Sequence, residues 1–193
     1  MREKLPQPVL EGNMSLEEVL FKRRSVRKFQ QYDLSKQQIS QLLWAGYGVT
    51  DKHNMFKTTP SAGATYPLEI YYLDKTGIFH YIPEDNSAVT IKEGDLRKEL
   101  VKSAFQQEFI SEASINIIIC ALYERTTLFY GERGYKYVLI EVGHCAQNIC
   151  LQAVSLGLDS VCVGAFDENE VKKLLMLEGD LEPVYIVSIG KKK

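Results

Sequence analysis

Residues 130–166 read YGERGYKYVLIEVGHCAQNICLQAVSLGLDSVCVGAF. From about Tyr135 to Leu156 apolar residues recur at helical spacing, and few positions are suited to solvent. Val138, Val142, Cys145, Ile149 and Val154 cover several faces of that helix. A helix apolar around most of its circumference is either central in the fold or covered by a second subunit. Gly157 suits the position just past the helix end, where a left-handed residue closes the last turn. Val161 to Gly164 then reads as a short strand. Asp167 and Glu170 cap a further helix that ends near Leu177, and Val184 to Ile189 is the final strand.

Upstream, Ser15 and Glu18 form a capping box, with Leu16, Val19 and Leu20 expected on the buried face of the helix they start. Ser35 and Gln38 form a second one, followed by Ile39, Leu42, Leu43 and Tyr47 at helical spacing and by Gly46 and Gly48 at the end. GYGVTD there resembles a fragment of a dinucleotide fingerprint, but it follows a helix where that motif requires a strand. The stretch HNMFKTTPSAGATYP, 53–67, reads as a loop. Leu68 to Leu73 and Ile78 to Ile82, joined by Asp74 to Gly77, make a hairpin. Asp95 to Gln107 reads as helix, and Ile115 to Leu122 is apolar enough for a central strand. The expected architecture is α+β: one domain over 1–193, with a small mixed or antiparallel sheet covered by helices.

The 193 residues carry a formal net charge of -2, with 45% hydrophobic and 25% charged residues. A nucleic-acid-binding domain is normally basic overall, so local basic clusters here suit a small anion instead. The first residues, MREKLPQPVLEGN, lack the apolar centre of a signal peptide, and no run is long enough to span a membrane. Cys120, Cys145, Cys150 and Cys162 lie in apolar contexts without a CxxC pair, as expected of free thiols in a reducing cytoplasm.

Two basic clusters stand out. Lys22, Arg23, Arg24, Arg27 and Lys28 crowd the string KRRSVRKF, and Lys191 to Lys193 follow the last apolar run. If the chain ends meet, these cations form one anion site. Arginine forks and a hydroxyl such as Ser25 match the oxygens of a phosphate monoester. Taken alone, the first cluster also reads as a solvated helix end, where cations oppose the helix dipole. PSAGATYP, 60–67, has small side chains that let its backbone approach a flat ring, although on composition it is equally an ordinary surface turn. His144 and Cys145 are neighbours on different sides of a helix, and Cys145 and Cys150 are five apart, so no metal site is expected.

These segments together resemble the FMN-dependent nitroreductase superfamily, and within it the SagB-type dehydrogenases, which include the azoline oxidases of thiazole and oxazole peptide biosynthesis. RRSVRKF resembles the superfamily's phosphate motif, PSAGATYPLEIY that branch's loop and strand, and YGERGYKYVLIEVGHCAQNICLQAVSLGL its long helix. SVCVGAFD and IVSIGK match the closing elements, so the resemblance runs from about Leu16 to Lys191. It implies a nitroreductase-like fold in an intertwined homodimer with two FMN sites at the subunit interface, Gly143, Ala146 and Cys150 of the long helix forming much of it. It implies that Arg23, Arg24, Ser25 and Arg27 bind the FMN phosphate and ribityl chain and that Lys191 reaches the same phosphate. Val163 and Gly164 would lie beside the isoalloxazine, while Pro60, Ser61, Ala62 and the adjoining Gly63 would approach it from the other subunit.

Departures from the family pattern are specific. Ala64 and Tyr66 stand where typical nitroreductases carry Asn and Gln, and Val163 stands where many carry Glu. The azoline oxidases are associated with a Lys–Tyr pair; Lys136-Tyr137 matches it literally, while Tyr130 is an alternative without the lysine. A lysine beside a tyrosine can lower the phenol's pKa for use as a base. The plainer alternative has Lys136 in solvent and Tyr137 packed. The expected activity is ping-pong hydride transfer from NADH or NADPH through FMN to a small acceptor such as a nitro compound or quinone. The alternatives are a SagB-type dehydrogenase acting on a ring or peptide substrate, and a flavin-binding module without turnover. The short chain leaves little surface for peptide recognition, which favours the first.

Overall fold

The computed structural model describes residues 1–193. Its elements, in chain order, begin with β1 (Arg2–Lys4), α1 (Leu16–Lys22), β2 (Phe29–Gln30) and α2 (Lys36–Tyr47). β3 (Val49–Asp51), β4 (Phe56–Lys57), β5 (Leu68–Asp74), β6 (Gly77–Ile82) and β7 (Ser87–Glu93) follow. Then come α3 (Arg97–Ser103), α4 (Phe109–Glu112), β8 (Ile115–Ala121), α5 (Glu124–Tyr130) and α6 (Arg133–Ser155). β9 (Asp159–Val163), α7 (Glu168–Leu174) and β10 (Glu182–Lys192) complete the chain.

The main sheet runs β1-β7-β6-β5-β8-β10-β2, with β9 also on β10, eight strands in all, and every ladder is antiparallel. It is larger than the small sheet expected, because β1, β2 and β7 carry too few alternating apolar residues to be read as strands. β8 is buried at all seven positions, as its unbroken apolar run requires of a strand covered on both faces. One core lies on the face covered by α2 and α6, where Leu42, Leu43, Val142, Cys145 and Ile149 meet Ile117, Ile119 and Val187. A second, under α3 and α7, gathers Leu100, Ile110, Ile118, Val171 and Ile186.

The loop expected at 53–67 is only partly irregular: β4 pairs with β3, and Ala62–Ala64 form one 3-10 turn. The larger correction concerns α1. Val19 is buried, but Leu16 and Leu20 are exposed. A helix of seven residues turns only one narrow stripe toward α6, and the rest of its apolar surface faces outward. Phe21, Leu128, Phe129, Tyr135, Leu139 and Ile140 are exposed too, so the uncovered apolar surface extends over α1, α5 and α6.

Candidate functional site

The two basic ends do meet. After α1 the chain leaves the helix at Arg23, with φ of -53° and ψ of 122°, and Ser25 forms a parallel bridge with Ser160 of β9. The Val26 N–H donates to the Ser160 carbonyl at 3.0 Å. Further along, β2 pairs with the end of β10, matching Gln30 to Lys191 and Phe29 to Lys192. The Lys193 N–H donates to the Lys28 carbonyl at 3.2 Å. Backbone pairing therefore fixes Arg23, Ser25, Arg27 and Lys191 around one corner of the sheet, beside β9.

Charge at this corner is largely unspent. Arg23, Arg24, Arg27 and Lys191 form none of the ion pairs in the chain. Arg24 folds back, its guanidinium donating to the carbonyls of Phe21 and Arg23 at 2.9 and 2.7 Å. Lys191 Nζ lies 5.4 Å from the centre of the Tyr32 ring. Ser160 carries a buried hydroxyl without a hydrogen-bond partner. At the end of β9, Val163 is buried and Gly164 is exposed. A methyl group at Gly164 would meet only the Tyr185 ring, at 3.5 Å, so nothing in this chain demands glycine there.

The Pro60-Ser61-Ala62-Gly63 loop lies elsewhere. Pro60 is exposed, and Ser61 Oγ accepts the Tyr66 N–H at 2.9 Å, closing the turn. Gly63 has φ of +60°, a conformation that costs other residues roughly 1–2 kcal/mol. A methyl group there would fall 2.7 Å from the Tyr130 hydroxyl. Tyr130 in turn meets Tyr137 edge to face, ring centres 5.1 Å apart. The two tyrosines that the sequence offered as alternatives are thus neighbours under one loop, and Lys136 is exposed beside them.

Beneath this loop is a buried polar group that the sequence reading passed over. Glu141 is 2% exposed, and the Tyr47 hydroxyl donates to it at 2.8 Å. Burial holds its carboxyl above the ordinary range, partly opposed by hydrogen bonds from Ser61 and Tyr47 and by the charge of Lys57. Tyr47 is also pushed up, first by burial and then by Glu141. Lys57 Nζ sits 4.2 Å above the Tyr47 ring, and burial lowers its pKa. The Tyr66 ring stands edge-on to Tyr47, and its hydroxyl accepts the Lys57 N–H at 3.3 Å. Glu141 could have been flagged in the sequence as the lone acid inside VLIEVG, a stretch otherwise made for the core.

The loop and the basic corner both rest on α6. Glu141 underlies the loop, whereas Cys150 faces β9 near Arg23. Between them Asn148 holds the approach to the loop, its side-chain amide donating to the Thr58 carbonyl and the Thr59 hydroxyl at 3.3 and 3.2 Å.

A family model described as "Nitroreductase family" matches residues 20–191, a span that contains both the basic corner and the loop. MJ1384 of Methanocaldococcus jannaschii, assigned as a nitroreductase, is 48% identical over 185 residues, covering 93% of this chain and 92% of that protein. The microcin B17-processing protein McbC of Escherichia coli is 25% identical over 158 residues, covering 75% of this chain but 57% of McbC. The crystal structure of an assigned nitroreductase from Ralstonia eutropha JMP134 superposes with a TM-score of 0.90 at 26% identity, over 100% of this chain and 90% of that one. The chain belongs to the nitroreductase family and is an oxidoreductase with the fold of that family.

Proposed function

We propose that this chain binds FMN at the basic corner, as one FMN-binding domain over 1–193, and works as a homodimer. The observation that carries the reading is the convergence of Arg23, Ser25, Arg27 and Lys191 without carboxylate partners. The donor set fits a phosphate monoester: two arginine forks, a lysine and a hydroxyl. The open face at Gly164 leaves room for a flat ring to approach the backbone.

Bound FMN would supply the redox chemistry, taking a hydride from NADH or NADPH and passing it to a small acceptor such as a nitro compound or quinone in a second half-reaction. The protein's part is binding and positioning. The basic corner anchors the charged end, and β9 presents Val163 and Gly164 at the end of the sheet. The Pro60–Gly63 loop would close the partner's site. The exposed apolar residues of α1, α5 and α6 support that arrangement, because a second copy would cover them. Ser61 and Tyr66 hold the loop's shape, with Glu141 buried beneath it.

A dehydrogenase acting on a ring or peptide substrate is the second reading, favoured by the likeness to McbC, a peptide-processing protein. The chain spans about half of McbC's length. Tyr130 and Tyr137 would be its candidates for proton transfer, with Lys136 nearby.

The test is an absorbance spectrum of the purified protein, followed by anaerobic NADH and then NADPH. Flavin bands that bleach with a nicotinamide support the first reading. Bands that persist with both donors favour the second reading or a carrier, and failure to take up FMN removes both enzymatic readings.

A further inference from the structure

The four cysteines are not equivalent. Cys120 and Cys145 are fully buried, and burial raises both thiols. Cys150 of α6 and Cys162 of β9 instead face each other with their sulfurs 3.6 Å apart. Cys150 is nearly buried, while Cys162 is partly open to solvent. A disulfide needs a sulfur separation of about 2.0 Å, so closure asks for roughly 1.6 Å of movement.

The surroundings favour reaction at Cys150. The Cys162 sulfur lies within hydrogen-bonding reach, Ser160 lies close, and the Arg23 charge is near; together these outweigh burial and lower its pKa. Cys162, as the donor beside an incipient thiolate, is raised. Tyr185 also contacts Cys162.

We propose that Cys150 and Cys162 form a peroxide-oxidisable dithiol that closes into an intramolecular disulfide between α6 and β9. The Cys150 thiolate attacks one oxygen of hydrogen peroxide, the O–O bond breaks, and the departing hydroxide takes up a proton to leave as water. The Cys162 thiol then loses its proton and attacks the Cys150 sulfenic sulfur. The S–S bond forms as the S–O bond breaks, and the second oxygen leaves as water. Two thiols are oxidised by two electrons, and one peroxide is reduced to two waters. The bridge would tie β9 to α6 next to Arg23, and a thiol reductant would reopen it.

The test uses the full-length protein as purified, reduced, desalted and exposed to one equivalent of hydrogen peroxide. It is then denatured in N-ethylmaleimide and weighed intact. The expected product carries two adducts where the reduced protein carries four, with a Cys150–Cys162 linkage in the peptide map and four adducts again after reduction. Cys162→Ser should instead leave a Cys150 sulfenic acid that dimedone traps. Four adducts after peroxide, a bridge involving Cys120 or Cys145, or a link between two chains would overturn the proposal.

Discussion

The basic corner and the Pro60–Gly63 loop are both built from short irregular segments, yet they use their polar groups in opposite ways. At the corner, backbone bridges pin the chain while Arg23, Arg27 and Lys191 have no carboxylate partner. Under the loop, nearly every polar group is spoken for: Tyr66 N–H to Ser61, Tyr47 hydroxyl to Glu141, Leu68 N–H to Tyr47. Unspent charge held on a fixed backbone is suited to a ligand. A satisfied buried network fixes the shape of the chain itself. Substitutions at the first should therefore alter binding, and substitutions at the second should alter stability.

The largest effect should come from Arg23→Ala with Arg27→Ala. Losing two charge-assisted contacts, about 1.5–3 kcal/mol each, should weaken FMN binding roughly 10²–10⁴-fold. Urea unfolding of the apoprotein should stay within about 0.5 kcal/mol of the parent. A large stability loss with FMN retained would invert the comparison.

Gly63→Ala should act the other way. The left-handed backbone and the approach to Tyr130 should cost roughly 1–3 kcal/mol of stability. Tyr130→Phe removes the clashing hydroxyl, so the double variant should recover part of that loss; strict additivity in denaturant melts would mean the two residues do not meet. Tyr47→Phe leaves a buried carboxyl and the Leu68 N–H without their partner and should cost about 1–3 kcal/mol, with a smaller change in FMN affinity than the arginine pair gives.

Glu141→Gln should show the smallest effect, visible in its pH dependence. The folded chain holds the Glu141 proton more tightly than the unfolded chain does. This contribution is full below the unfolded value of about 4.3 and is lost as pH rises through the raised folded value. Removing the acid should flatten stability over that interval, as read from melts across it. An unchanged slope would place the titration elsewhere.

How legible each region was follows from the same contrast. The hairpin of β5 and β6, the buried β8 and the long α6 announce themselves by apolar period, because burial selects residue type at every position. The corner was legible as two clusters, and its closure depended on β10 running on to Lys192, past the last apolar residue. The Glu141 network was invisible because its members come from α2, β4, the loop and α6, and no local pattern links Tyr47, Lys57, Ser61 and Glu141. Leu16 and Leu20 stay exposed because a helix of seven residues buries only the stripe at Val19, which apolar spacing alone does not show.

The most direct measurement is a titration of the apoprotein with FMN and, separately, with riboflavin, which lacks the phosphate. If the unpaired cations of the corner hold that phosphate, FMN should bind at least roughly 10²-fold more tightly, an advantage that shrinks as salt is raised. Equal affinity for the two flavins at every salt concentration would contradict the account.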